Sequence, residues 1–206
     1  KLYMNDTILP TGSLREFKSG IQRADIIIVT KCPEILLPIE RKRLMTEINP
    51  QPHQHVYFSF IKYGDFIPVQ GEGTNPLAKE FYFERNFSMA LLTGIANTKP
   101  LEYYLKDKVK NIIPIKYNDH HHFTKTDIGN IQKIFNNIVT ANKIILTTEK
   151  DAMRLKSPEY ADSIKNLPLF YIPIEIEFHN KDKNEFNEQI LHYVRANQKH
   201  SSIHSK

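Results

Sequence analysis

The sequence is poor in cysteine and in long apolar runs, and both shortages limit what the chain can be. The single cysteine among 206 residues, Cys32, cannot form an internal disulfide, which fits a reducing compartment. No run approaches the roughly 18 apolar residues that a membrane-spanning helix needs, and no signal peptide is recognisable. The chain begins at Lys1 in the middle of a motif, so we expect that its beginning is missing.

The sequence also lacks the spacings of common zinc sites, HExxH and CxxC. Asp119 followed by His120, His121 and His122 still invites a metal interpretation. Adjacent histidines point in different directions, so we predict no metal site. A metal-dependent hydrolase that uses these histidines remains an alternative. The other interpretation is one catalytic histidine that accepts a proton from a hydroxyl nucleophile, with its tautomer fixed by Asp119 or by an acid from the missing part.

The composition is that of an ordinary globular protein, with 40% apolar and 25% charged residues and a net charge of +5. This charge suits anionic partners such as nucleotides, phosphorylated lipids or an acidic membrane face. The positive residues form no stripe interleaved with aromatics, so we predict no nucleic-acid partner. A non-catalytic α/β module that binds an anionic partner is a second alternative.

Strand-like and helix-like segments alternate over much of the chain. The run DIIIV (25–29) suits a strand that is buried on both faces of a parallel sheet. Pro38 can open a helix that Asn49 and Pro50 end. The βαβαβ pattern downstream predicts a parallel sheet with right-handed crossovers. Its predicted strands are 88–93, 111–117, 143–148 and 169–178, and its predicted helices are 100–108, 125–139 and 158–166.

Three further segments carry local signals. Ser13 with Glu16 predicts a capped helix over 14–23, and Thr124 with Asp127 predicts the start of the helix over 125–139. The stretch 56–69 reads as two extended pieces that turn at Gly64 and form a two-stranded ribbon. Residues 71–76 are predicted as a loop, and a final helix is predicted over 185–196.

Polar clusters follow four of the predicted strands. Ligands of open parallel sheets bind just beyond the carboxyl ends of the strands. Three clusters should therefore meet on one edge of a second lobe, and the fourth should lie at the equivalent edge of the first lobe. A cleft between the lobes would bring them together. The clusters contain Thr30 and Lys31, then Asn97, then Asp119 with His120, and then Lys150 with Asp151.

The motifs resemble those of the tetraacyldisaccharide 4'-kinase family. LPTGSLREF (9–17) resembles the family's LPAGPLREP signature, and LLTGIANTKP (91–100) resembles its LxTGIANP segment. NDHHHF (118–123) is similar to its aspartate–histidine motif, and LTTEKDAMRL (146–155) to its TTEKDAxRL motif. RADIIIVTK (23–31) resembles the strand after the first signature. Phe17 and Thr98 stand where the family usually has proline, which is a minor departure.

The resemblance implies transfer of the γ-phosphate of ATP to the 4'-hydroxyl of a tetraacyldisaccharide 1-phosphate, a step of lipid A synthesis at the cytoplasmic face of the inner membrane. It implies ATP and Mg²⁺ as cofactors, bound mainly by the missing amino-terminal part, together with peripheral membrane contact and a monomer. His120 matches the histidine that activates the acceptor hydroxyl, with Asp119 in support. We expect Arg15 and Glu16 to contact the substrate. The nucleotide or interlobe contacts are expected at Thr30, Lys31, Asn97, Lys150 and Asp151.

The family's P-loop motif, GxxxxGK[ST], occurs nowhere in the sequence. We therefore expect this carboxy-terminal portion to be inactive alone. The implied fold is P-loop-kinase-like, with two α/β lobes joined by a β-ribbon and an incomplete first lobe. The predicted divisions are 1–55 for the nucleotide-binding lobe, 56–86 for the ribbon and loop, 87–168 for the second lobe, 169–198 for a return strand and helix on the first lobe, and 199–206 for a disordered tail.

Overall fold

The computed structural model describes residues 2–70 and 77–201 and divides the chain into two compact units. Unit 1 combines Lys1–Lys62 with Ile176–Lys206, and unit 2 is the continuous segment Tyr63–Glu175. The strands are β1 (Ile26–Cys32), β2 (His55–Tyr63), β3 (Ile67–Pro68), β4 (Ser88–Thr93), β5 (Asn111–Lys116), β6 (Lys143–Thr148), β7 (Leu169–Ile172) and β8 (Ile174–Phe178). The α-helices are α1 (Pro38–Ile48), α2 (Lys79–Glu84), α3 (Lys99–Leu105), α4 (Lys125–Asn136), α5 (Glu149–Leu155), α6 (Ala161–Ile164) and α7 (Asp182–Ser201).

Unit 2 is built on a five-stranded sheet in the order β3-β7-β6-β4-β5. β4 pairs in parallel with β5 and β6, β6 pairs in parallel with β7, and only β3 joins antiparallel. The apolar runs of β4 and β6 fit these places because a central parallel strand is covered on both faces. The predicted α/β class and the parallel sheet of the second lobe are confirmed.

Alternating residues of β4 fill both faces of this sheet. Ala90 and Leu92 face a core that includes residues of α4, α5 and α6. Met89 and Leu91 face a second core that includes residues of α2 and α3. All four side chains are at most 1% exposed. The helices on both faces therefore hold the sheet, and the carboxyl ends of its strands, in a well-packed frame.

Unit 1 contains the three-stranded sheet β1-β2-β8. β1 pairs in parallel with β2, and the bond from the His179 N–H to the Phe58 carbonyl (3.0 Å) continues the pairing beyond β8. Over the described residues β1 is an outer strand of this sheet, and Ile28 is 41% exposed. The expectation that 25–29 is buried on both faces was therefore wrong.

The two extended pieces of 56–69 do not pair with each other. The first, β2, lies between β1 and β8, whereas β3 pairs with β7 in the sheet of unit 2. The predicted single strand 169–178 is divided at Pro173 into β7 and β8, which join different sheets. The partners Ile67 and Tyr171, and likewise Phe58 and His179, lie more than 100 residues apart in sequence, so local pattern could not identify them.

The predicted helix over 14–23 was wrong in its first half. Ser13 bonds Asp6 instead of capping a helix, and Glu16 bonds Arg23 at 2.5 Å. A 3₁₀ helix begins only at Lys18. Elsewhere the capping signals were correct, because the Thr124 hydroxyl accepts the Asp127 N–H (3.2 Å) and the Asp127 carboxylate accepts the Thr124 N–H (2.8 Å).

The remaining differences concern short or terminal elements. Sequence pattern did not indicate α2 or α5, and the predicted helix 158–166 is a 3₁₀ turn followed by α6. The predicted loop 71–76 lies outside the described residues. The final helix, α7, runs to Ser201, so the tail predicted over 199–206 starts too early, and 202–206 lie outside the described residues.

Candidate functional site

The segments that follow three parallel strands of unit 2 lie side by side. β4 is flanked by β6 and β5, and backbone bonds continue this pairing past the strand ends. The Tyr117 N–H donates to the Thr93 carbonyl at 2.8 Å, and the His120 N–H donates to the Gly94 carbonyl at 3.3 Å. The structure thereby brings four of the predicted site residues together, namely Asp119, His120, Lys150 and Asp151.

Asp151 anchors this strand-end cluster from beneath. Its carboxylate is 0% exposed and accepts hydrogen bonds from the Gly94 N–H (2.9 Å) and the Thr148 hydroxyl (2.8 Å). Its other oxygen binds the Arg154 guanidinium at 3.0 Å. A side chain at position 94 would place its Cβ 3.0 Å from that oxygen, so glycine allows the close approach. One buried carboxylate thus ties the β4 end to the first turns of α5.

The imidazole of His120 stands exposed above this anchor. Its side chain is 72% exposed, and its backbone adopts the left-handed conformation with φ of 61°. Arg154 Nη2 lies 3.3 Å from Nδ1, and Lys150 Nζ lies 3.3 Å from Nε2. The ring is not packed in a core. Its orientation therefore depends on its polar neighbours and on the strained backbone.

Asp119 lies on the same side of the ring. One oxygen accepts a hydrogen bond from Lys150 Nζ at 3.2 Å, and the other is 3.7 Å from His120 Nε2. The Lys150 hydrogen bond holds the pKa of Asp119 below its usual value, so this carboxylate is ionised at neutral pH. Two carboxylates, Asp119 and Asp151, thus lie beside two basic side chains, Lys150 and Arg154.

The neighbouring histidines point elsewhere. His121 Nε2 lies 3.0 Å from Asp127 Oδ2, and its ring stacks on Tyr117 with a centroid distance of 4.5 Å. Burial raises the pKa of Asp127, but hydrogen bonds from Thr124 and His121 outweigh it and leave the pKa low. His122 is exposed. Over residues 2–70 and 77–201, no group of three histidine, cysteine or acidic residues could hold a metal ion.

Asn97 has a local role at the start of α3. Its side chain is exposed, and its carbonyl oxygen accepts the Lys99 N–H at 3.2 Å. Its expected contribution beside the nucleotide stays a prediction.

The predicted site residues of unit 1 line two separate cavities. Thr30 and Lys31 border a cavity of about 330 Å³ together with Arg43 and acidic residues of α1. Lys31 has φ of 59° at an irregularity in the β1–β2 register, so the chain bends where β1 ends. Arg15 and Glu16 border the other cavity, of about 610 Å³. Convergence of all four clusters in one cleft stays a prediction.

Sequence reasoning missed the role of Arg154. The residue lies inside the motif TTEKDAMRL, and its spacing of three from Asp151 on a helix is compatible with an ion pair. Its contact with His120, however, joins positions 34 residues apart. Only the parallel pairing of β6, β4 and β5 makes that contact possible, so sequence spacing alone could not reveal it.

An ion pair in unit 1, with a buried carboxylate and a partly exposed guanidinium, was also missed. Arg41 makes a bidentate contact with Asp182 at 2.6 and 3.0 Å, and Asp182 also accepts the Phe58 N–H at 2.8 Å. The Arg41 guanidinium lies 4.5 Å from the centroid of the Phe58 ring. These contacts link α1, β2 and the start of α7, which makes the pair a structural feature of unit 1.

Comparison with known proteins places this arrangement in a family. The family model described as Tetraacyldisaccharide-1-P 4'-kinase matches residues 1–195. The chain is 38% identical over 210 residues to the Tetraacyldisaccharide 4'-kinase of Bacteroides thetaiotaomicron, covering 98% of this chain and 55% of that protein. It is 36% identical over 196 residues to the protein of the same name from Flavobacterium johnsoniae, covering 95% and 52%. The chain thus spans about half the length of these curated relatives.

One solved structure is similar over 86% of this chain and 46% of its own. It is the crystal structure of the "apo" form of LpxK from Aquifex aeolicus in complex with ATP, with a TM-score of 0.49 and 17% sequence identity. The family match spans nearly all of the described residues and includes every residue of the strand-end cluster. The chain belongs to the tetraacyldisaccharide-1-P 4'-kinase family.

Proposed function

We propose that this chain forms part of an enzyme that transfers the γ-phosphate of ATP to the 4'-hydroxyl of a tetraacyldisaccharide 1-phosphate, in lipid A biosynthesis. The family match over residues 1–195 carries this proposal. The exposed imidazole at the carboxyl ends of parallel strands supports it, because that is where open α/β sheets bind their ligands.

His120 is the proposed centre of the chemistry. Phosphoryl transfer depends mainly on positioning the nucleophile and balancing charge around the moving phosphoryl group. In that setting the imidazole takes the proton of the acceptor hydroxyl or orients the carboxylate that does so. Asp119, held ionised by Lys150, supports the ring from the Nε2 side.

The roles of the other site residues follow from their exposure. Asp151 is fully buried with both oxygens bonded, so we assign it to shaping the strand ends rather than touching the nucleotide. Lys150 is 45% exposed and can contact a ligand beside His120. Arg15 and Glu16, which border an open cavity, are the proposed contacts to the substrate.

ATP and Mg²⁺ would be held only in part by this chain. The cavity beside Thr30 and Lys31 is bordered by two basic residues, Lys31 and Arg43, and by two acidic residues, Glu40 and Glu47, so an anionic group would contact its basic side. Mg²⁺ usually takes one or two carboxylates together with substrate phosphates. Mg²⁺ would therefore be held mainly through the phosphates of the nucleotide. When bound, it would neutralise charge on the phosphates.

The proposed location is the cytoplasmic face of the bacterial inner membrane, with a monomeric enzyme in peripheral contact. The net charge of +5 favours an anionic lipid surface. None of the helices within residues 2–70 and 77–201 is long and apolar enough to cross a bilayer.

The proposal is tested by a kinase assay on the complete product of the gene, with residues 1–206 assayed in parallel. ATP labelled at the γ-phosphate and a tetraacyldisaccharide 1-phosphate should yield a labelled lipid in the presence of Mg²⁺. An acceptor without the 4'-hydroxyl should remain unlabelled. Labelling at another position, or no labelling by the complete product, would contradict the proposal. Full activity of residues 1–206 alone would show that the nucleotide site lies within this chain.

A metal assay tests the alternative function, a metal-dependent hydrolase that uses the histidines. The three consecutive histidines have separate environments, which argues against a shared ion. Purified protein should therefore carry no stoichiometric zinc.

A further inference from the structure

We propose that Arg154 is a positioning residue that selects the tautomer of His120. The inference rests on the proposed function for its significance, because it decides which ring nitrogen carries a proton when substrate arrives. The contacts that determine the tautomer all lie within this chain. Both ring nitrogens of His120 lie 3.3 Å from the nitrogen of a cationic side chain.

A neutral imidazole cannot satisfy both cations. It has one N–H, which donates, and one bare nitrogen, which accepts. Arginine and lysine can only donate. One of the two contacts must therefore give way, and the tautomer depends on which cation holds its place more firmly.

Arg154 is held more firmly than Lys150. Its side chain is 21% exposed, and Nη1 is bonded at 3.0 Å to the fully buried carboxylate of Asp151. That carboxylate is itself fixed by the Gly94 N–H and the Thr148 hydroxyl. A planar guanidinium with one nitrogen anchored has its other nitrogens set in direction. Nη2 therefore stays directed at His120 Nδ1.

Lys150 can leave the imidazole because its ammonium group has another partner. Its side chain is 45% exposed on a flexible stem, and its ammonium already has Asp119 Oδ1 as a partner at 3.2 Å. Releasing the ring costs Lys150 little, because the carboxylate and water take the place of the imidazole. The bare nitrogen is then Nδ1, which accepts from Arg154, and the proton is on Nε2.

This arrangement gives His120 an N–H on its Nε2 side. Asp119 Oδ2, 3.7 Å away, is the carboxylate nearest to that N–H within the cluster. Within the proposed reaction, His120 would then use Nε2–H to orient the carboxylate that takes the proton of the acceptor hydroxyl, and it would not take that proton itself, because Arg154 occupies Nδ1. Arg154 acts through the histidine and does not touch the substrate itself.

The test is a long-range ¹⁵N–¹H correlation spectrum of the imidazole nitrogens in the unmodified chain. It is recorded at about pH 8.5, well above the usual histidine pKa of about 6.5. A spectrum of His120→Gln identifies the signals of His120. The expected result is a predominance of the Nε2–H form. Predominance of the Nδ1–H form would overturn the proposal.

Two substitutions separate positioning from folding. Arg154→Gln should lower the ratio of Nε2–H to Nδ1–H about fivefold, which corresponds to one net hydrogen bond. Arg154→Lys keeps a charge opposite Asp151 but cannot reach both partners, so it should lower the ratio similarly while retaining the native amide spectrum. The matched control, Lys150→Gln, should leave Nε2–H dominant. An unchanged ratio in both Arg154 variants would overturn the proposal, and if Arg154→Gln does not fold, Arg154→Lys alone decides.

These spectra need neither ATP nor lipid. A failed kinase assay with the expected tautomer would therefore reject only the proposed function. An active kinase with the opposite tautomer would reject only the role of Arg154.

Discussion

The two units of the chain are stabilised in different ways. Unit 2 covers both faces of its sheet with apolar side chains, and β4 and β6 are almost wholly buried. In unit 1 the central strand β2 buries only its middle residues, 57–59, and β1 and α1 expose apolar residues such as Ile28 (41%) and Ile39 (76%). The ion pair Arg41–Asp182, whose carboxylate is buried, links α1, β2 and α7 there. The strand-end cluster of unit 2 is therefore built on the more completely buried sheet.

The sharpest test of this contrast removes a core side chain from each unit. Leu146→Ala, at the fully buried centre of β6, should lower the free energy of unfolding by about 3 to 4 kcal/mol because it leaves a cavity. Ile28→Ala in β1 should cost only about 1 kcal/mol or less, since that side chain is already partly exposed. Urea unfolding followed through amide signals of each unit measures both. Equal losses would contradict the comparison.

Breaking the ion pair should be almost as costly for unit 1. Arg41→Ala leaves the Asp182 carboxylate, whose side chain is 6% exposed, without its charged partner. We expect a loss of about 3 kcal/mol in unfolding free energy, the lower end for a broken buried pair. The exposed pair Lys165–Asp162 is the control, and Lys165→Ala should cost less than about 0.5 kcal/mol. Similar losses in both variants would show that burial does not distinguish the pairs.

The pH dependence of stability should identify a group in unit 1. Burial lowers the pKa of His179, whose ring is 4.7 Å from that of Phe60, and nearby Arg41 lowers it further against the opposing effect of Asp182. Below the unfolded value of about 6.5, the unfolded chain then binds more protons than the folded chain. Stability should therefore fall as pH drops from about 6.5 toward the lower folded pKa.

The slope from one group is at most about 1.4 kcal/mol per pH unit. Denaturant unfolding of unit 1 at a series of pH values measures it. His179→Gln, which cannot titrate, should flatten the curve over that range. The exposed His55 provides the control, and His55→Gln should leave the slope as it is. An unchanged slope in His179→Gln would assign the pH dependence to other groups.

The smallest expected effect comes from a helix cap in unit 2. Thr124→Ala removes one half of the capping box of α4 and should cost about 1 kcal/mol. Thr46 lies within α1 and bonds only to the Lys42 carbonyl one turn earlier, so Thr46→Ala should change stability by less than about 0.5 kcal/mol. Thermal or urea unfolding compares the two variants. A larger loss from Thr46→Ala would contradict the assignment of the cap.

Sequence pattern was most informative where structure depends on local chemistry. The bounds of β4 and β6 were predicted correctly because continuous apolar runs end where polar site residues begin. Pro38 at the start of α1 and Asn49 at its end, with φ of 46°, also acted as predicted. The grouping of Asp119, His120 and Lys150 followed from their positions after parallel strands.

Sequence pattern gave wrong predictions where contacts with residues distant in the sequence determine the local structure. Ser13 carried a capping signal, but Asp6 satisfies its hydroxyl and no helix starts there. The pairing of β3 with β7, and of β2 with the β8 side of the sheet, depends on segments more than 100 residues away. The approach of Arg154 to His120 likewise depends on side-chain placement across strands, which spacing does not encode.

The central claim is that the imidazole of His120 serves phosphoryl transfer, and turnover of the complete gene product tests it most directly. His120→Ala should lower kcat by about two to four orders of magnitude, the usual range for general acid–base catalysis. His122→Ala, two positions away and also exposed, should keep kcat within about threefold. Near-normal turnover of His120→Ala, with His122→Ala equally active, would contradict the account.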